Sequence, residues 1–254
     1  MKYITSAILF QLLIVWSLTS CKKQDITTPL SSSPCDNCRI EALYQILKDD
    51  GSAVEKVGTF YYDELNRPVF FEAFNISEVN PDMAFIYDNK GRLTDFIRQY
   101  RNGTFETWNA FKYNDSNKIV VDSGYLFGHM KNGHPAGWFS RWATFMEFDA
   151  KGRVTKEYGK NKKGQPINVI TYSYDAQGNR ITGNTYDTSI NINRLNPAFQ
   201  LINREYSVNN ITYAGIQFHV NDEGLPLELK VPDVASVTFL DIYSNSLRID
   251  YYCK

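Results

Sequence analysis

The sequence is poor in the residues and motifs that most often carry catalysis or metal binding. Its 254 residues include three histidines and four cysteines, and the formal net charge is −1. It contains no Gly-x-Ser-x-Gly elbow, His-Glu-x-x-His motif, phosphate-binding loop or dinucleotide-binding fingerprint. A chain with so little net charge has no strong field to hold nucleic acid, so we expect no nucleic-acid partner. We predict a protein that is not an enzyme and that needs no cofactor or metal.

The one long apolar run lies near the N-terminus. Lys2 is followed by the run 8–16 and then by Leu18-Thr19-Ser20-Cys21, which is the pattern of a lipoprotein signal peptide. The run is too short for a comfortable transmembrane helix. We therefore predict a signal peptide over 1–20 and lipidation, including palmitate, at Cys21. An uncleaved anchor or an ordinary secretion signal is the alternative.

The rest of the chain divides into a spacer and one domain. Residues 22–34 are rich in Ser, Thr and Pro, a composition typical of a flexible tether. Residues 35–254 are numerous enough for a single β domain with a substantial core.

A short phrase recurs along this domain at a spacing of about 25 residues. It consists of an aromatic residue, Asp or Asn, two variable residues, Gly or Asn, and usually a basic residue. Repetition of this kind indicates one supersecondary unit that packs against copies of itself. The copies begin at Tyr62, Tyr87, Tyr113, Phe148 and Tyr174, with a weaker sixth copy at Val220.

The phrase has the chemistry of a chain reversal. The side chain of Asp or Asn at its second position can accept a hydrogen bond from the backbone amide two residues on, which starts a turn. Residues such as Gly91 and Asn66 can take the positive φ that closes the turn. Flanking residues alternate, so that Phe85 and Tyr87 share one face and Ile86 lies on the other. We predict an all-β fold, an antiparallel β-meander of repeated hairpins in a single twisted or curled sheet.

At these residues the sequence resembles the YD repeats of Rhs-type proteins, and more closely the small YD-repeat-like lipoproteins of Bacteroidota. The best matches are Tyr87-Asp88-x-x-Gly91-Arg92 and Phe148-Asp149-x-x-Gly152-Arg153. In large Rhs proteins such repeats build a shell and are not catalytic, so the resemblance implies a structural or binding role. It also implies an outer-membrane location, anchored through the lipid, with the periplasmic or surface face left open. Insertions near 122–143 and 186–212 interrupt the repeat, so we do not expect a closed container.

Three cysteines remain after the lipidated one, in a compartment that permits disulfide bonds. The Cys35-x-x-Cys38 pair has no second pair at zinc-ribbon spacing, so we predict no metal site there. Instead, Cys38, or alternatively Cys35, is predicted to pair with Cys253. Either bond would join the first strand, 39–47, to the last strand, 246–252.

The insertion 124–142 is the candidate binding site. It holds two of the three histidines and two of the four tryptophans. Aromatic rings can stack on sugars or anchor a protein partner, and polar neighbours can add hydrogen bonds. The alternative is a long hairpin that turns at Lys131-Asn132-Gly133 and packs its aromatic residues on the sheet. The candidate ligand-binding residues are Tyr125, His134, Trp138, Arg141 and Trp142.

These observations favour a non-enzymatic envelope lipoprotein that binds a glycan or another envelope protein. A structural or accessory subunit of an outer-membrane assembly is the second hypothesis. A hydrolase, the third hypothesis, would require two carboxylates, or a histidine and a nucleophile, that meet in one cleft, whereas turn formation already explains the repeated Asp residues. Trp138 and Trp142 discriminate between the first two: side by side in a groove they would favour ligand binding, and buried on the sheet they would favour a structural role.

Overall fold

The computed structural model describes residues 38–47, 53–74, 80–116, 118–212, 216–230, 237–240, 242–244 and 246–253. The predicted signal peptide, the tether, Cys21 and Cys35 lie outside the described residues. Within the described part, strands dominate and helix is confined to one 3-10 turn and one short α-helix. The strands are β1 Cys38–Ile46, β2 Val54–Tyr62, β3 Pro68–Ala73, β4 Asp82–Tyr87, β5 Leu93–Gln99, β6 Thr104–Tyr113, β7 Ile119–Lys131, β8 His134–Ala136, β9 Ser140–Phe148, β10 Val154–Lys160, β11 Pro166–Thr171, β12 Gln217–Val220, β13 Pro226–Lys230, β14 Val237–Phe239, β15 Ile242–Ser244 and β16 Ser246–Cys253; the 3-10 helix is Ile192–Leu195 and α1 is Pro197–Asn203.

Fourteen of the described strands form one antiparallel sheet, which confirms the predicted all-β fold of successive hairpins. From β1 to β11 the strands follow each other as a meander, with β8 added to the end of β7. The chain then leaves the sheet, and β13 and β12 follow β16 on the far side of β1. The described strand order thus ends at β11 and β12, while β14 and β15 form a separate two-stranded ribbon.

The repeated phrase forms the turns at one rim of this sheet. In three copies, one carboxylate oxygen accepts hydrogen bonds from the backbone amide four residues on, and the other accepts from the Arg side chain at that position. In the β4–β5 turn these distances are 3.0 Å from the Arg92 amide and 2.7 Å from Arg92 Nε to Asp88. Equivalent pairs link Asp63 to Arg67 and Asp149 to Arg153. The hydrogen bonds from the Arg92 amide and guanidinium lower the pKa of Asp88.

Each of these arginines also contacts the next copy of the phrase. The guanidinium stacks over the next tyrosine ring, and that tyrosine donates its hydroxyl to the carbonyl just after the arginine. For Arg92 and Tyr113 the stacking distance is 4.5 Å, and the hydroxyl donates to Leu93 at 2.8 Å. Burial raises the pKa of Tyr113 to about 12. The same arrangement joins Arg67 with Tyr87 and Arg153 with Tyr174.

Between the third and fourth copies of the phrase, both the arginine and the tyrosine of this contact are absent. The third copy carries Lys118 where the first, second and fourth copies have arginine, and the fourth copy begins with Phe148 instead of tyrosine. The arginine of one copy contacts the tyrosine of the next copy. Without the arginine, the tyrosine has no guanidinium to stack on, and without the tyrosine, the arginine has no ring to cover. The basic residue of the phrase therefore serves the fold.

The main core lies between the sheet and the segment that contains α1, and a smaller buried cluster, Ile97, Phe105 and Trp108, packs with Tyr125 on the opposite side of the sheet. Phe199 of α1 packs against Phe60 and Phe85 of the sheet at 5.5 and 6.3 Å between ring centroids. We call this side of the sheet the inner face and the opposite side the outer face. The helix begins at Pro197 because Asn196 caps it, accepting a hydrogen bond from the Ala198 amide. It ends at Arg204, which has a positive φ of 52°.

Contacts at the two ends of this segment require the sheet to curl. The Ile190 amide donates to Gly224 beside β13, and Arg204 binds Glu157 of β10. Ten strand spacings separate β13 from β10 in the strand order, roughly 48 Å in a flat sheet. The residues from Ile190 to Arg204, partly helical, reach roughly 30 Å at most. The sheet must therefore wrap around the segment.

The two ends of the described chain are adjacent strands. Cys38 lies opposite Cys253 in the register of β1 and β16, and the two cysteines form a disulfide bond across a sequence separation of 215 residues. Of the two pairings left open by the sequence, the structure contains this one.

The fifth copy departs from the expectation of a regular hairpin. Its turn forms, with the Gly178 amide donating to Asp175, but β11 ends at Thr171 and a single bridge joins Tyr174 to Arg180. The chain leaves the sheet here because residues after the turn cross to the inner face and supply the core segment.

Candidate functional site

The insertion 124–142 is an extension of the sheet built from the end of β7, β8 and the start of β9. It reverses at Asn132 and Gly133, which have positive φ angles of 53° and 73°. This two-residue turn is the one predicted at Lys131-Asn132-Gly133, because Asn and Gly tolerate the left-handed conformation. The base of the hairpin is held by pairing between β7 and β9, which places Tyr125 opposite Arg141.

Strand alternation divides the candidate residues between the two faces of the sheet. Trp142 lies opposite Gly124, and a Cβ on Gly124 would come within 2.0 Å of the indole. Gly124 and Asp122 share one face of β7, and Asp122 binds Arg204 at the end of α1. Trp142 is therefore on the inner face, and Arg141, its neighbour in β9, is on the outer face.

Three of the predicted residues meet on the outer face. Trp138 contacts Tyr125 edge to face, with ring centroids 5.1 Å apart. The guanidinium of Arg141 lies 5.6 Å from the centroid of the same tyrosine ring. Trp138 is 40% exposed and Arg141 is also exposed. Two aromatic rings in edge-to-face contact and a neighbouring guanidinium are thus accessible to solvent.

A second group continues this surface along β9 and β10. Phe145 is paired with Tyr158, and their rings stack at 5.6 Å with an interplanar angle of 19°. Lys160 Nζ lies 3.8 Å from the centroid of the Phe145 ring. Phe145 and Arg141 are four residues apart in one strand, so both lie on the outer face. We call this surface the aromatic–cation face, and its residues are Tyr125, Trp138, Arg141, Phe145, Tyr158 and Lys160.

Small side chains separate the two aromatic groups. Ser123 of β7 is paired with Ala143 of β9, between Tyr125–Arg141 on one side and Phe145 on the other. Because neither side chain projects far, the strip between the ring clusters is low. Ser123 is itself buried, so the rings on either side of this strip are the surfaces on which a flat ligand can stack.

Some of the positively charged side chains on this surface are paired with a carboxylate and others are not. Within the described part of the chain, Arg141 and Lys160 have no hydrogen bond or ion pair, whereas Lys156 of β10 binds Glu147 at 3.0 Å. The insertion 124–142 contains no Asp or Glu at all. The face therefore carries cations that are free to bind an anion.

Two predicted residues are not part of this group. Trp142 is as exposed as Trp138, at 40%, but lies on the inner face. His134 begins β8 at the hairpin tip, where it lies opposite Lys131 of β7. The two tryptophans are thus neither side by side in a groove nor both buried on the sheet. Phe145, Tyr158 and Lys160 were missed by the sequence reasoning; the alternation of β9 after Arg141 is the signal that could have suggested Phe145.

The inner face carries a polar cluster centred on Arg204. Its guanidinium binds Asp122 at 2.5 Å and Glu157 at 3.0 Å, and Asn109 donates to both oxygens of Asp122 at 3.1 Å. Burial raises the pKa of Asp122 above its ordinary value, although Arg204 and Asn109 oppose the shift. Asp122 of β7 and Glu157 of β10 both bind Arg204 at the end of α1, so the cluster has a structural role in attaching the helix to the sheet.

A groove of about 390 Å³ lies between the turn rim and the start of α1. Arg67 and Arg92 line it, but their guanidinium groups are already bound to Asp63 and Asp88 at 2.6 Å. The aromatic–cation face, with its unpaired cations, is therefore the stronger candidate site.

Within the described ranges, no group of three or more His, Cys, Asp or Glu side chains is arranged to hold a metal ion. Among the same residues, no helix has both the length and the apolar character needed to span a membrane.

Comparisons with known proteins find matches among solved structures alone. No family model and no curated protein sequence matches the chain. Among solved structures, the Tc holotoxin pore of Photorhabdus luminescens shares 9% identity over 79% of this chain and 11% of that chain, with a TM-score of 0.30. The chain thus spans about a tenth of the toxin chain. A porin-like protein from Bacteroides uniformis shares 7% identity over 88% of this chain and 98% of that chain, with a TM-score of 0.40.

Proposed function

We propose that this protein is a non-enzymatic, lipid-anchored outer-membrane protein of the YD-repeat-like kind, which binds a glycan through the aromatic–cation face. The observation that carries the proposal is the solvent exposure of Trp138 against Tyr125, with Arg141 beside them. A ring that serves only the core loses most of its exposed surface, as Trp108 does at 3%. Trp138 keeps 40%, so its indole has surface available to a ligand.

Stacking geometry supports a glycan as the ligand. The apolar face of a sugar ring packs on an indole or phenol ring, while its hydroxyls need hydrogen-bond partners at the edge. The face supplies rings in two groups with low residues, Ser123 and Ala143, between them. Arg141 adds hydrogen-bond donors that no other described residue uses.

The inner-face tryptophan provides a matched control for the test. The full-length protein, kept in detergent, would be applied to a glycan array together with Trp138→Ala and Trp142→Ala. Both substitutions remove an indole of equal exposure from the same hairpin, but only the first alters the aromatic–cation face. We expect Trp138→Ala to lose the glycan signal and Trp142→Ala to keep it. A blank array, or equal loss in both variants, would contradict the proposal.

Contact with another envelope protein is the second candidate, as in an accessory subunit. Phe139 is 83% exposed and Phe127 is 54% exposed, beside each other at the hairpin. The Phe139 amide donates to the Leu126 and Phe127 carbonyls, which holds this pair in place. Exposed phenylalanines of this kind are common at protein interfaces. If the array is blank and Phe139→Ser reduces the size of the complex that the protein forms in native membranes, this second function is favoured.

A further inference from the structure

We infer that the glycan bound by the aromatic–cation face is anionic, with acidic groups that contact Arg141 at one end of the face and Lys160 at the other. This inference rests on the proposed function and specifies the chemical class of its ligand. The observation behind this inference is the charge of Arg141 and Lys160, whereas the proposed function depends on the exposed aromatic rings.

Arg141 differs from the other stacked arginines of the described structure. Each of the others has a hydrogen bond or ion pair that occupies its guanidinium: Arg39 with Asn66, Arg67 with Asp63, Arg92 with Asp88, Arg153 with Asp149, Arg180 with Arg204, Arg204 with Asp122 and Arg248 with Asp250. Arg141 lies over Tyr125 with no such partner among the described residues. Its planar fork of donors is suited to a carboxylate, sulfate or phosphate group.

Lys160 provides a second uncompensated charge. Its ammonium group lies 3.8 Å from the centroid of the Phe145 ring and 6.0 Å from the centroid of the Tyr158 ring. The carboxylate of this region, Glu147, is bound to Lys156. An anion that approaches the Phe145–Tyr158 group thus meets a positive charge that no described residue neutralises.

The separation of the two cations indicates the size of the ligand. Arg141 and Phe145, the ring beneath Lys160, are four residues apart along β9, which is roughly 13 Å. A single sugar cannot reach both ends. The face is therefore suited to an oligosaccharide that carries acidic groups on non-adjacent sugars, with its rings on Trp138 and on the Phe145–Tyr158 pair.

The absence of carboxylates from residues 124–142 also works against alternatives. A cationic ligand would find no counter-charge on the hairpin. A neutral glycan offers Arg141 only uncharged hydroxyl and ring oxygens, which accept weaker hydrogen bonds from a guanidinium than a carboxylate does. An anionic lipid surface shares the charge but would engage the most exposed rings, Phe127 and Phe139, so it is included in the test.

The test compares one oligosaccharide in charged and uncharged forms. A galacturonic-acid hexamer and its fully methyl-esterified form have the same rings and differ in their carboxylates. Binding of each to the full-length protein in detergent would be measured by calorimetry at low and high NaCl, with Arg141→Gln, Lys160→Gln and a remote control, Lys90→Gln. All three variants lose one positive charge, and Lys90 lies in the β4–β5 turn at the rim of the sheet.

We expect the acid to bind at least about tenfold more tightly than the ester. Arg141→Gln and Lys160→Gln should each remove most of this preference, Lys90→Gln should retain it, and added salt should weaken binding of the acid. Equal binding of acid and ester that is lost in Trp138→Ala would overturn the inference while the proposed function stands. No binding of either form, nor of any glycan on the array, would overturn both. Binding to phosphatidylglycerol vesicles that requires Arg141, without binding of the acid, would assign the face to lipid and overturn the inference.

Discussion

Replacing Asp149 by alanine removes four hydrogen bonds from one turn. Its Oδ1 accepts from the amides of Lys151 and Arg153 at 2.9 and 3.0 Å, and its Oδ2 accepts from Arg153 Nε and Nη2 at 2.8 and 2.7 Å. Arg153 in turn stacks over Tyr174 at 3.9 Å, which connects the turn to the next copy. Asp149 is 23% exposed, so solvent screens the pair only in part.

These contacts give an expected loss of about 2 kcal/mol in the free energy of unfolding. Loss of the oxygen that caps the two amides costs about 1 kcal/mol. The ion pair between Asp149 and Arg153 is largely shielded from solvent, and it also holds the Arg153 guanidinium over the Tyr174 ring. Its loss costs about 1 kcal/mol more. For a domain of this size, the melting temperature should fall by about 4–8 °C.

Asp149→Asn separates the two contributions, because an amide keeps Oδ1 as the acceptor and loses the charge. At three turns where no arginine follows, the chain already uses asparagine. Asn114, Asn161 and Asn221 each accept a hydrogen bond from the amide four residues on, at 2.9, 3.0 and 2.8 Å. We expect Asp149→Asn to cost about half as much as the alanine variant.

The cost of Asp149→Asn should also depend on pH. Burial alone would raise the pKa of Asp149, but the hydrogen bonds from the Arg153 amide and guanidinium outweigh it and bring the pKa below its ordinary value. The stabilisation is therefore present above the ordinary pKa of about 4 and is lost as the pH falls through the folded-state pKa. Wild type and Asp149→Asn should converge in stability in acid.

The assay is urea unfolding followed by far-ultraviolet circular dichroism, at pH 7 and below pH 4. Two results would refute the reasoning. If Asp149→Ala is as stable as wild type, the turn does not depend on its carboxylate. If Asp149→Asn loses as much as Asp149→Ala, the backbone contribution has been assigned wrongly.

Three other perturbations test the remaining parts of the fold. Cys253→Ser, which breaks the bond to Cys38, should cost about 5 kcal/mol in the chain-entropy model, and reduction of the wild type should reproduce its loss of thermal stability. Arg204→Met should cost about 3–5 kcal/mol at neutral pH by leaving buried Asp122 unpaired, and adding Asp122→Asn should restore much of it in urea unfolding. Tyr113→Phe should cost about 0.5–1.5 kcal/mol by removing one buried hydroxyl bond; a cost above 3 kcal/mol in the same assay would contradict its limited role.

The local parts of the fold could be predicted because their causes lie close together in the sequence. Asp88 and Arg92 are four residues apart, and their bonds form whichever strands lie beside them. The Asn132-Gly133 turn is also local, since both residues tolerate positive φ. These hydrogen bonds and conformational preferences are satisfied within one hairpin.

The candidate site was predicted only in part because its composition depends on register. Tyr125, Trp138 and Arg141 were recognised by residue type, but type alone does not place Arg141 and Trp142 on opposite faces. The pairing of Tyr125 with Arg141 decides this, and a shift of one residue would exchange the two side chains. The contribution of Phe145 and Tyr158 likewise follows from the register between β9 and β10.

By itself, the sequence determined that the chain reverses at each repeated phrase and forms antiparallel hairpins, because the Asp or Asn, Gly and Arg residues of one phrase bond to each other over a few residues. Only the tertiary structure decided that the segment after the fifth copy crosses to the inner face, that the sheet curls around it, and that β16 lies between β13 and β1. These features depend on burial of apolar surface and on ion pairs between residues far apart in the chain, such as Arg204 with Asp122, for which no local pattern exists.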